Sequence, residues 1–218
     1  MNISEWLPRL WQESLTTIYM VGISTLFTVL LGLPLGVVLT LTDERGLAPH
    51  LVLNRVIGFI VNLARSLPFI ILLVVIIPFT RALVGTSIGP TATIVPLTLA
   101  AVPFFARVVE STLREVPRGL IEAAQSMGSS NWQTVSKVLI PESLPGLILG
   151  IALTLISLVG YSAMAGAVGG GGLGDLAIRY GYQRYETEVM VVTVVLLLIL
   201  VQGVQWLGDH LAANVSKE

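Results

Sequence analysis

The longest polar segment of the chain contains the stretch EAAQSMGSSNWQTVSKVLIP, residues 122–141. Gly128 supplies the backbone freedom that a turn requires. Ser130 and Gln133 form the S-x-x-Q pattern of a capping box, which starts a second helix. Pro141 has no amide hydrogen to lose in a first helical turn, so we expect it to start the membrane-spanning helix that follows. The stretch therefore predicts short helices joined by a glycine turn.

The composition of the chain places it in a lipid bilayer. Of its 218 residues, 54% are hydrophobic and only 11% are charged, and the mean hydropathy is +0.86. A soluble domain needs a more polar surface than this composition can supply. The formal net charge of -1 indicates no basic surface for nucleic acid, and the absence of cysteine excludes disulfides, thiolate metal sites and cysteine nucleophiles.

Long stretches of the chain are almost free of charge, each with roughly the 20 residues that a helix needs to cross about 30 Å of hydrocarbon. There are five, and they cover residues 15–41, 56–80, 82–106, 141–168 and 189–208. Backbone groups in hydrocarbon must be hydrogen-bonded within the segment, so these stretches are expected to be helices. The sequence predicts an all-α integral membrane protein in which residues 1–218 form a single domain.

The first 14 residues carry apolar side chains at helical spacing, at Ile3, Leu7, Leu10 and Trp11. This pattern predicts a short amphipathic helix at the membrane interface. The apolar run that follows is far longer than the core of a signal peptide, so we expect it to stay in the membrane.

The positions of Lys and Arg predict the orientation, because basic residues accumulate in short cytoplasmic loops. With the N-terminus outside, the residues that face the cytoplasm are Arg45, Arg55, Arg65, Arg107, Arg114, Arg118, Lys137 and Lys217. Those that face out are Arg9, Arg81, Arg179 and Arg184. Five spans then leave the C-terminus inside and place the loop 114–138 on the side of the membrane that holds ATP.

Residues 122–141 resemble the cytoplasmic loop of permease subunits of ATP-binding-cassette (ABC) importers, whose pattern is E-A-A-x3-G-x9-I-x-L-P. The matching residues are Glu122, Ala123, Ala124, Gly128 and Pro141, with conservative replacements at Val138 and Ile140. In that family the loop forms a coupling helix that docks into a groove on the ATPase subunit. The resemblance implies this role for residues 122–128, and the alternative is a surface helix that contains E-A-A by chance.

Most of the chain, from about Leu15 to the C-terminus, is similar to the methionine-uptake permeases within that family. The similarity is carried by residues 65–70, 78–81, 84–89, 103–104, Arg107, Glu110, 141–146 and 159–169. It implies the type I importer fold, with five transmembrane helices per subunit and the coupling helix between helices 3 and 4. It also implies a homodimer in the bacterial inner membrane, two ATPase subunits that bind ATP and magnesium, and an external methionine-binding lipoprotein.

The fourth predicted span is the best candidate for lining a translocation pathway. Its small residues Gly160, Ala163, Gly166 and Gly169 permit close helix approach, and Tyr161, Ser162 and Met164 are set among them. Two copies meeting across a two-fold axis could close a pathway with the flexible side chain of Met164. The alternative is that Met164 only fills space between packed helices.

Charged residues inside the spans are scarce. Arg65, at the expected cytoplasmic start of the second span, is best explained as a side chain that extends to the interface. The alternatives are a pair with Glu110 or with a substrate carboxylate. His50 and His210 have no acidic residue at ligand spacing, so we expect interfacial residues rather than metal ligands.

Other functional classes fit the sequence less well. A secondary transporter or channel would need buried ionisable groups or a conductive lumen, and a membrane enzyme would need clustered acids, bases or metal ligands. The chain has no Walker A pattern, so no cofactor is expected in it and ATP hydrolysis is assigned to a separate subunit. Within the importers, the alternative to methionine is another small polar solute, such as a different amino acid or a quaternary amine.

Overall fold

The computed structural model describes residues 3–216, with side chains from residue 6 onward. In order, the α-helices of this part are α1 Ile3–Thr42, α2 Leu51–Arg65, α3 Phe69–Val75, α4 Ile77–Val84, α5 Pro90–Arg114, α6 Arg118–Ser126, α7 Asn131–Thr134, α8 Ile140–Glu142, α9 Leu144–Gly166, α10 Gly172–Leu176 and α11 Thr187–Val215. Two π-helical segments, Val135–Leu139 and Ala177–Tyr182, continue α7 and α10. The described residues contain no strand, so the all-α prediction is confirmed.

Four helices, α1, α5, α9 and α11, are long and apolar enough to cross a membrane. The pair α2 and α3 passes the same test together but is bent by 101°, so the described residues hold up to five spans. If α2 and α3 count as one span, α6 lies between the third and fourth spans. This arrangement matches the predicted five-span subunit with a short helix between helices 3 and 4.

Residues 3–14 are part of the first spanning helix. The expected short helix over residues 1–14 has no end of its own, because α1 runs without a break to Thr42. Ser14 and Thr17 lie at the expected junction, and their hydroxyls donate to the carbonyls of Leu10 and Glu13 within the helix, at 2.7 and 3.0 Å. Polar side chains that are satisfied in this way do not interrupt a helix. Met1 and Asn2 lie outside the described residues.

The stretch 56–80 is not one continuous helix, and this is the main difference from the predicted spans. α2 begins at Leu51 and ends at Arg65, and Pro68 is the N-cap of α3. Proline lacks a donor and disfavours helical backbone in the residue before it, so Leu67 cannot continue α2. Arg65 is therefore the last residue of α2 and does not lie near the start of a span.

The third spanning helix, α5, covers Pro90–Arg114 instead of the predicted 82–106. It begins directly after Gly89, whose φ of 100° turns the backbone so that a preceding helix cannot continue. It continues past residue 106 because Arg107 and Glu110, which ended the uncharged stretch, pair with each other at 2.6 Å inside the bundle. α1 crosses α5 at Gly36, where a Cβ atom would lie 2.6 Å from the Ala106 carbonyl oxygen. The two backbones can approach this closely only at a glycine.

The core consists of two clusters that meet on α5. One lies toward the start of α5, around Met20, Leu97 and Leu158. The other lies toward its end, around Phe105, Val109 and Leu139. Phe105, at 0% exposure, also lies against Gly32 of α1 and Gly150 of α9. α5 is thus the central helix, and the remaining spans and α6 are positioned around it.

At the end of the bundle opposite α6, Tyr180 joins three segments of the chain. Its ring meets Trp6 edge to face at 5.0 Å. The guanidinium groups of Arg9 and Arg184 lie 4.4 and 4.5 Å from the ring centroid. Cations over an aromatic face are attracted by its quadrupole, so this cluster ties the start of α1 to the loop before α11.

Candidate coupling helix and membrane pathway

The turn after α6 is a Schellman motif built on Gly128. The Ser129 amide donates to the Ala124 carbonyl at 3.1 Å, and the Gly128 amide donates to the Gln125 carbonyl at 2.9 Å. Gly128 has φ 81°, a left-handed conformation that suits glycine. The predicted glycine turn is confirmed.

The next turn begins with the predicted capping box. The Gln133 amide donates to the Ser130 hydroxyl at 3.3 Å, and the Ser130 amide donates to the Gln133 side-chain oxygen at 2.9 Å. Because both turns are held by specific hydrogen bonds from backbone amides, the direction of α7 relative to α6 is fixed by local sequence.

The two alanines of the E-A-A pattern have different environments. Ala124 is 5% exposed and faces the chain's own core, whereas Ala123 and Glu122 are exposed. The family pattern assigns both alanines to the coupling helix, but Ala124 packs inward within its own subunit and leaves no small surface for a partner. Ala124 lies about 100° around the helix from Ala123 and about 200° from Glu122, on the side that packs inward.

Two large apolar side chains of this region are exposed, and sequence reasoning missed them. Met127 is 82% exposed and Trp132 is 75% exposed, one on each side of the Gly128 turn. With Glu122 and Ala123 they form what we call the outer surface of α6 and α7. A tryptophan in an otherwise polar loop is the sequence signal that could have found this surface.

Pro141 does not start the fourth span. It is the second residue of the three-residue helix α8, and the chain departs from helical geometry at Ser143, with φ -88° and ψ 0°. The span α9 begins at Leu144 and has Pro145 at its second position. Ahead of Pro141 the backbone widens to π-helical geometry, in which the Ile140 amide donates to the Val135 carbonyl five residues back. The sequence contains both prolines, but only the tertiary packing shows which one opens the span.

A cleft of about 310 Å³ separates α6 from the end of α1. Its lining includes Asp43, Arg45, Arg114, Arg118, Glu122 and Gln125. Glu122 therefore borders this polar cleft as well as the outer surface.

A charged network lies behind the cleft and is centred on Glu110, which is 2% exposed. Its carboxylate oxygens pair with Arg107 and with Arg114, both at 2.6 Å. Arg114 also pairs with Asp43 at 2.8 Å, and Arg107 donates to the Gly58 carbonyl of α2 at 3.0 Å. The network joins α2, α5 and the residue that follows α1 at the end of the bundle that holds α6. Arg65 is not the partner of Glu110.

The proposed gate residues of α9 do not share one face. Ser162 is 2% exposed and its hydroxyl donates to the Val159 carbonyl at 2.8 Å, so it points into the subunit. Tyr161 is half-buried, and its ring stacks on Phe69 of α3 at 4.8 Å. Met164 is 50% exposed. Ser162 and Met164 are two positions apart, about 200° around a helix, so they cannot line the same pathway.

Met164 belongs to an exposed stripe along α9. The other members are Leu149, which is 41% exposed, Leu153, which is 50% exposed, and Gly160, which is also exposed. Their spacing of four, seven and four residues keeps them within about 60° of each other on a helix. Gly160 in the middle of the stripe lets another backbone come close. The stripe, rather than all of 161–164, is the candidate surface for a second copy or for a pathway.

The two histidines have local structural roles. His50 caps α2 by accepting a hydrogen bond from the Leu53 amide at 3.2 Å. His210 stacks on Trp206 with ring centroids 5.5 Å apart. The described residues contain no cluster of three or more His, Cys, Asp or Glu that could hold a metal ion.

Comparison with known sequences shows the family. The family described as "Binding-protein-dependent transport system inner membrane component" matches residues 32–217. A Vibrio cholerae protein named "Probable D-methionine transport system permease protein MetI" is 54% identical over 216 residues, which are 99% of this chain and 94% of that protein. The "Methionine import system permease protein MetP" of Bacillus subtilis is 46% identical over 211 residues, 97% of this chain and 95% of that protein.

Solved structures show the same fold. A chain in a crystal form of the inward-facing MetNI methionine ABC transporter is 50% identical, with a TM-score of 0.94 and coverage of 99% of both chains. A chain of an amino acid ABC transporter solved with histidines is 17% identical, with a TM-score of 0.79 and coverage of 98% and 97%, and shows the fold alone. The chain therefore belongs to the inner-membrane components of binding-protein-dependent transport systems and has the type I ABC importer permease fold.

Proposed function

We propose that this chain is the membrane subunit of an ATP-driven importer of methionine. The observation that carries the proposal is similarity over nearly the whole chain to proteins named for methionine transport, at 54% identity to the Vibrio cholerae protein and 50% to the MetNI chain. The similarity covers every span and the α6 region together. A shared fold alone would not select a solute, because relatives for other solutes have it too.

The partner that hydrolyses ATP is a separate ABC ATPase, of which two copies bind one permease dimer. Support comes from the outer surface of α6 and α7, where Met127 and Trp132 are exposed beside a rigid double turn. Exposed aromatic and methionine side chains are enriched at protein interfaces. ATP and magnesium bind to the ATPase, and this chain needs no cofactor of its own.

The second copy of the permease lies against the exposed stripe of α9. Two stripes across a two-fold axis bring both Met164 side chains to the axis, where they close the pathway between substrate deliveries. An external methionine-binding lipoprotein delivers the solute to the end of the bundle opposite α6. The distribution of Lys and Arg supports an N-terminus outside and a C-terminus in the cytoplasm of an inner-membrane protein.

Coupling follows from the connection of α6 to the bundle. Ile121 of α6 packs against the core cluster around Phe105, Val109 and Leu139. The Glu110 network ties the same end of α5 to α2 and to the end of α1. ATP-driven closure of the ATPase dimer therefore moves the spans as a unit. The ATP-bound dimer supplies the work through its greater affinity for the outward-facing state, and hydrolysis resets it.

The test is reconstitution of the chain with the ATPase and binding protein encoded beside it, followed by uptake of labelled D- and L-methionine into liposomes. We expect uptake that requires all three proteins and ATP. A stable complex that hydrolyses ATP without moving either isomer would overturn methionine as the solute. Uptake by this chain without the ATPase would overturn the importer mechanism.

A further inference from the structure

We propose that Arg65 faces the translocation pathway and binds the carboxylate of the transported amino acid. The inference rests on the proposed function, because it assigns a residue for solute binding within that pathway. It replaces the sequence interpretation of Arg65 as a side chain that extends to the near interface.

The position of Arg65 around α2 is the first observation. Asn54, Gly58, Val61 and Arg65 lie within about 60° of each other on a helix. Asn54 donates to the Leu39 carbonyl of α1 at 2.7 Å, and Gly58 and Val61 are buried. Arg65 therefore continues the face of α2 that points into the bundle.

The opposite face of α2 is suited to lipid. Its residues Val52, Val56, Phe59, Ile60 and Leu63 are 52–70% exposed and wholly apolar. Arg65 is exposed as well, although it lies on the inward face. At its level the described chain therefore leaves the inward face of α2 uncovered.

The depth of Arg65 is the second observation. It is the fifteenth residue of α2, which places it about 21 Å along the helix axis at 1.5 Å per residue. Asn54 also donates to the Thr42 hydroxyl at the end of α1, so α2 starts level with that end of the bundle. A rise of about 21 Å from there still lies within about 30 Å of hydrocarbon.

The broken backbone after Arg65 is the third observation. Residues 65–68 are all exposed, and α3 leaves at 101° to α2. Non-helical backbone at membrane depth is tolerated only where protein covers it or where it borders water. This chain leaves the break exposed, so the second copy of the subunit or a water-filled pathway must border it, and the labelling experiment below separates the two.

The guanidinium of Arg65 is free within this chain. It has no hydrogen bond or ion pair among the described residues, whereas Arg107 and Arg114 both pair with Glu110. An unpaired arginine at membrane depth is costly unless it meets water or an anion. Its fork of donors fits a carboxylate through two parallel hydrogen bonds.

The surroundings of Arg65 fit a methionine. Phe69, four residues further along, stacks on Tyr161, which lies three residues before Met164 on α9. Phe69 is 6% exposed and belongs to the core, so within this pair only the half-buried Tyr161 offers a surface to the solute's apolar side chain. A solute at this place would meet one cation and one aromatic ring, a combination that suits an amino acid with an apolar side chain.

The absence of cysteine in the chain makes a charge-rescue experiment possible. The Arg65→Cys variant is assembled with the ATPase and binding protein and is treated with a cationic or an anionic methanethiosulfonate of similar size. Phe59→Cys, on the lipid face, is the control for labelling, since a thiol in hydrocarbon does not form the reactive thiolate. Arg55→Cys, ten residues earlier on the same helix, is the control for loss of charge elsewhere on α2.

We expect Arg65→Cys to be labelled, Phe59→Cys to resist, and the Arg65→Cys complex to take up methionine about tenfold or more slowly. The cationic reagent should restore uptake and the anionic reagent should not, with no such difference at Arg55→Cys. A merely structural role would not depend on the sign of the added charge. Should Arg65→Cys fail to assemble, Arg65→Lys keeps the charge but not the paired donors, and we expect it to take up methionine more slowly than the unaltered complex but faster than Arg65→Gln.

Two results would overturn the proposal. One is resistance of Arg65→Cys to both reagents, which would place the residue in lipid or in a sealed contact. The other is uptake that stays normal in Arg65→Cys, or that both reagents restore equally. Failure of the unaltered complex to move methionine would instead overturn the proposed function, and labelling alone would still decide whether Arg65 faces water.

Discussion

At the scale of single residues, Gly128 determines how α6 ends. Its φ of 81° is costly for a residue with a Cβ atom, by about 1–2 kcal/mol. An added Cβ atom would meet nothing within 4 Å, so the cost comes from the backbone and not from a clash. We expect Gly128→Val to insert and assemble but to lose uptake per ATP hydrolysed, because the turn between α6 and α7 changes direction.

Gly128→Asn is the matched control, since asparagine tolerates the left-handed region better than other side chains. The ratio of methionine transported to phosphate released in liposomes is the measurement. A Gly128→Val complex that keeps the normal ratio would show that the direction of the turn does not matter for coupling.

Glu110 is the second residue, because its buried carboxylate holds two arginines. Glu110→Gln leaves Arg107 and Arg114 without the carboxylate that both contact at 2.6 Å. Because Glu110 is buried, we expect a loss of stability of about 3–5 kcal/mol, measured as a lower unfolding temperature in detergent. Asp43→Asn removes the outer, exposed ion pair and should cost under about 1 kcal/mol. Equal effects of the two substitutions would contradict the central position of Glu110.

At the scale of elements, the outer surface of α6 and α7 is the feature that a partner would contact. Trp132 is 75% exposed, so Trp132→Ala removes little packing within the subunit. We expect it to weaken association with the ATPase by about tenfold or more, because large aromatic side chains dominate interface energies. Affinity for the purified ATPase in detergent is the measurement.

The control for this prediction is Trp206→Ala on α11. Trp206 is 65% exposed, but it stacks on His210 and lies outside the α6 region. If both substitutions weakened ATPase binding equally, the outer surface would not be the docking site.

The broken segment from α2 to α4 shows why hydropathy alone does not locate the ends of helices. Pro68 and Pro78 lie inside an uncharged stretch, and hydropathy counts them as ordinary members of a span. Their missing donors end one helix and open the next, at Arg65 and at Ile77. A reading that gave prolines precedence over hydropathy would have placed Arg65 at a helix end.

At the scale of the whole molecule, the exposed stripe of α9 predicts where two copies meet. Because the chain has no cysteine, Met164→Cys introduces a single thiol. We expect a short bifunctional thiol reagent to join two Met164→Cys subunits in the membrane, giving a species of twice the 23.3 kDa mass. Electrophoresis without reducing agent is the measurement.

Ser162→Cys is the control, since Ser162 is buried on the other side of the same helix. Joined Ser162→Cys subunits with unjoined Met164→Cys subunits would place the dimer contact on the wrong face of α9 and would contradict the stripe.

Local sequence alone determined several features of this protein. Hydropathy predicted the membrane helices, and the spacing of Glu122, Gly128 and Pro141 indicated the family. Ser130 and Gln133 gave the capping box. These features depend on backbone hydrogen bonds within a few residues and on the transfer of apolar groups to lipid, both of which can be read from residues in order.

Only the tertiary structure decided which way each side chain faces. Glu110 and Ser162 turn inward because α5 and α9 pack against other helices, and Ala124 because α6 packs on the segment 135–139, while Arg65 and Met164 are left uncovered. Exposure depends on which helices meet, and such contacts join residues far apart in the chain. For that reason the sequence could name the candidate residues on α9, but the packing of α9 separated Met164 from Ser162.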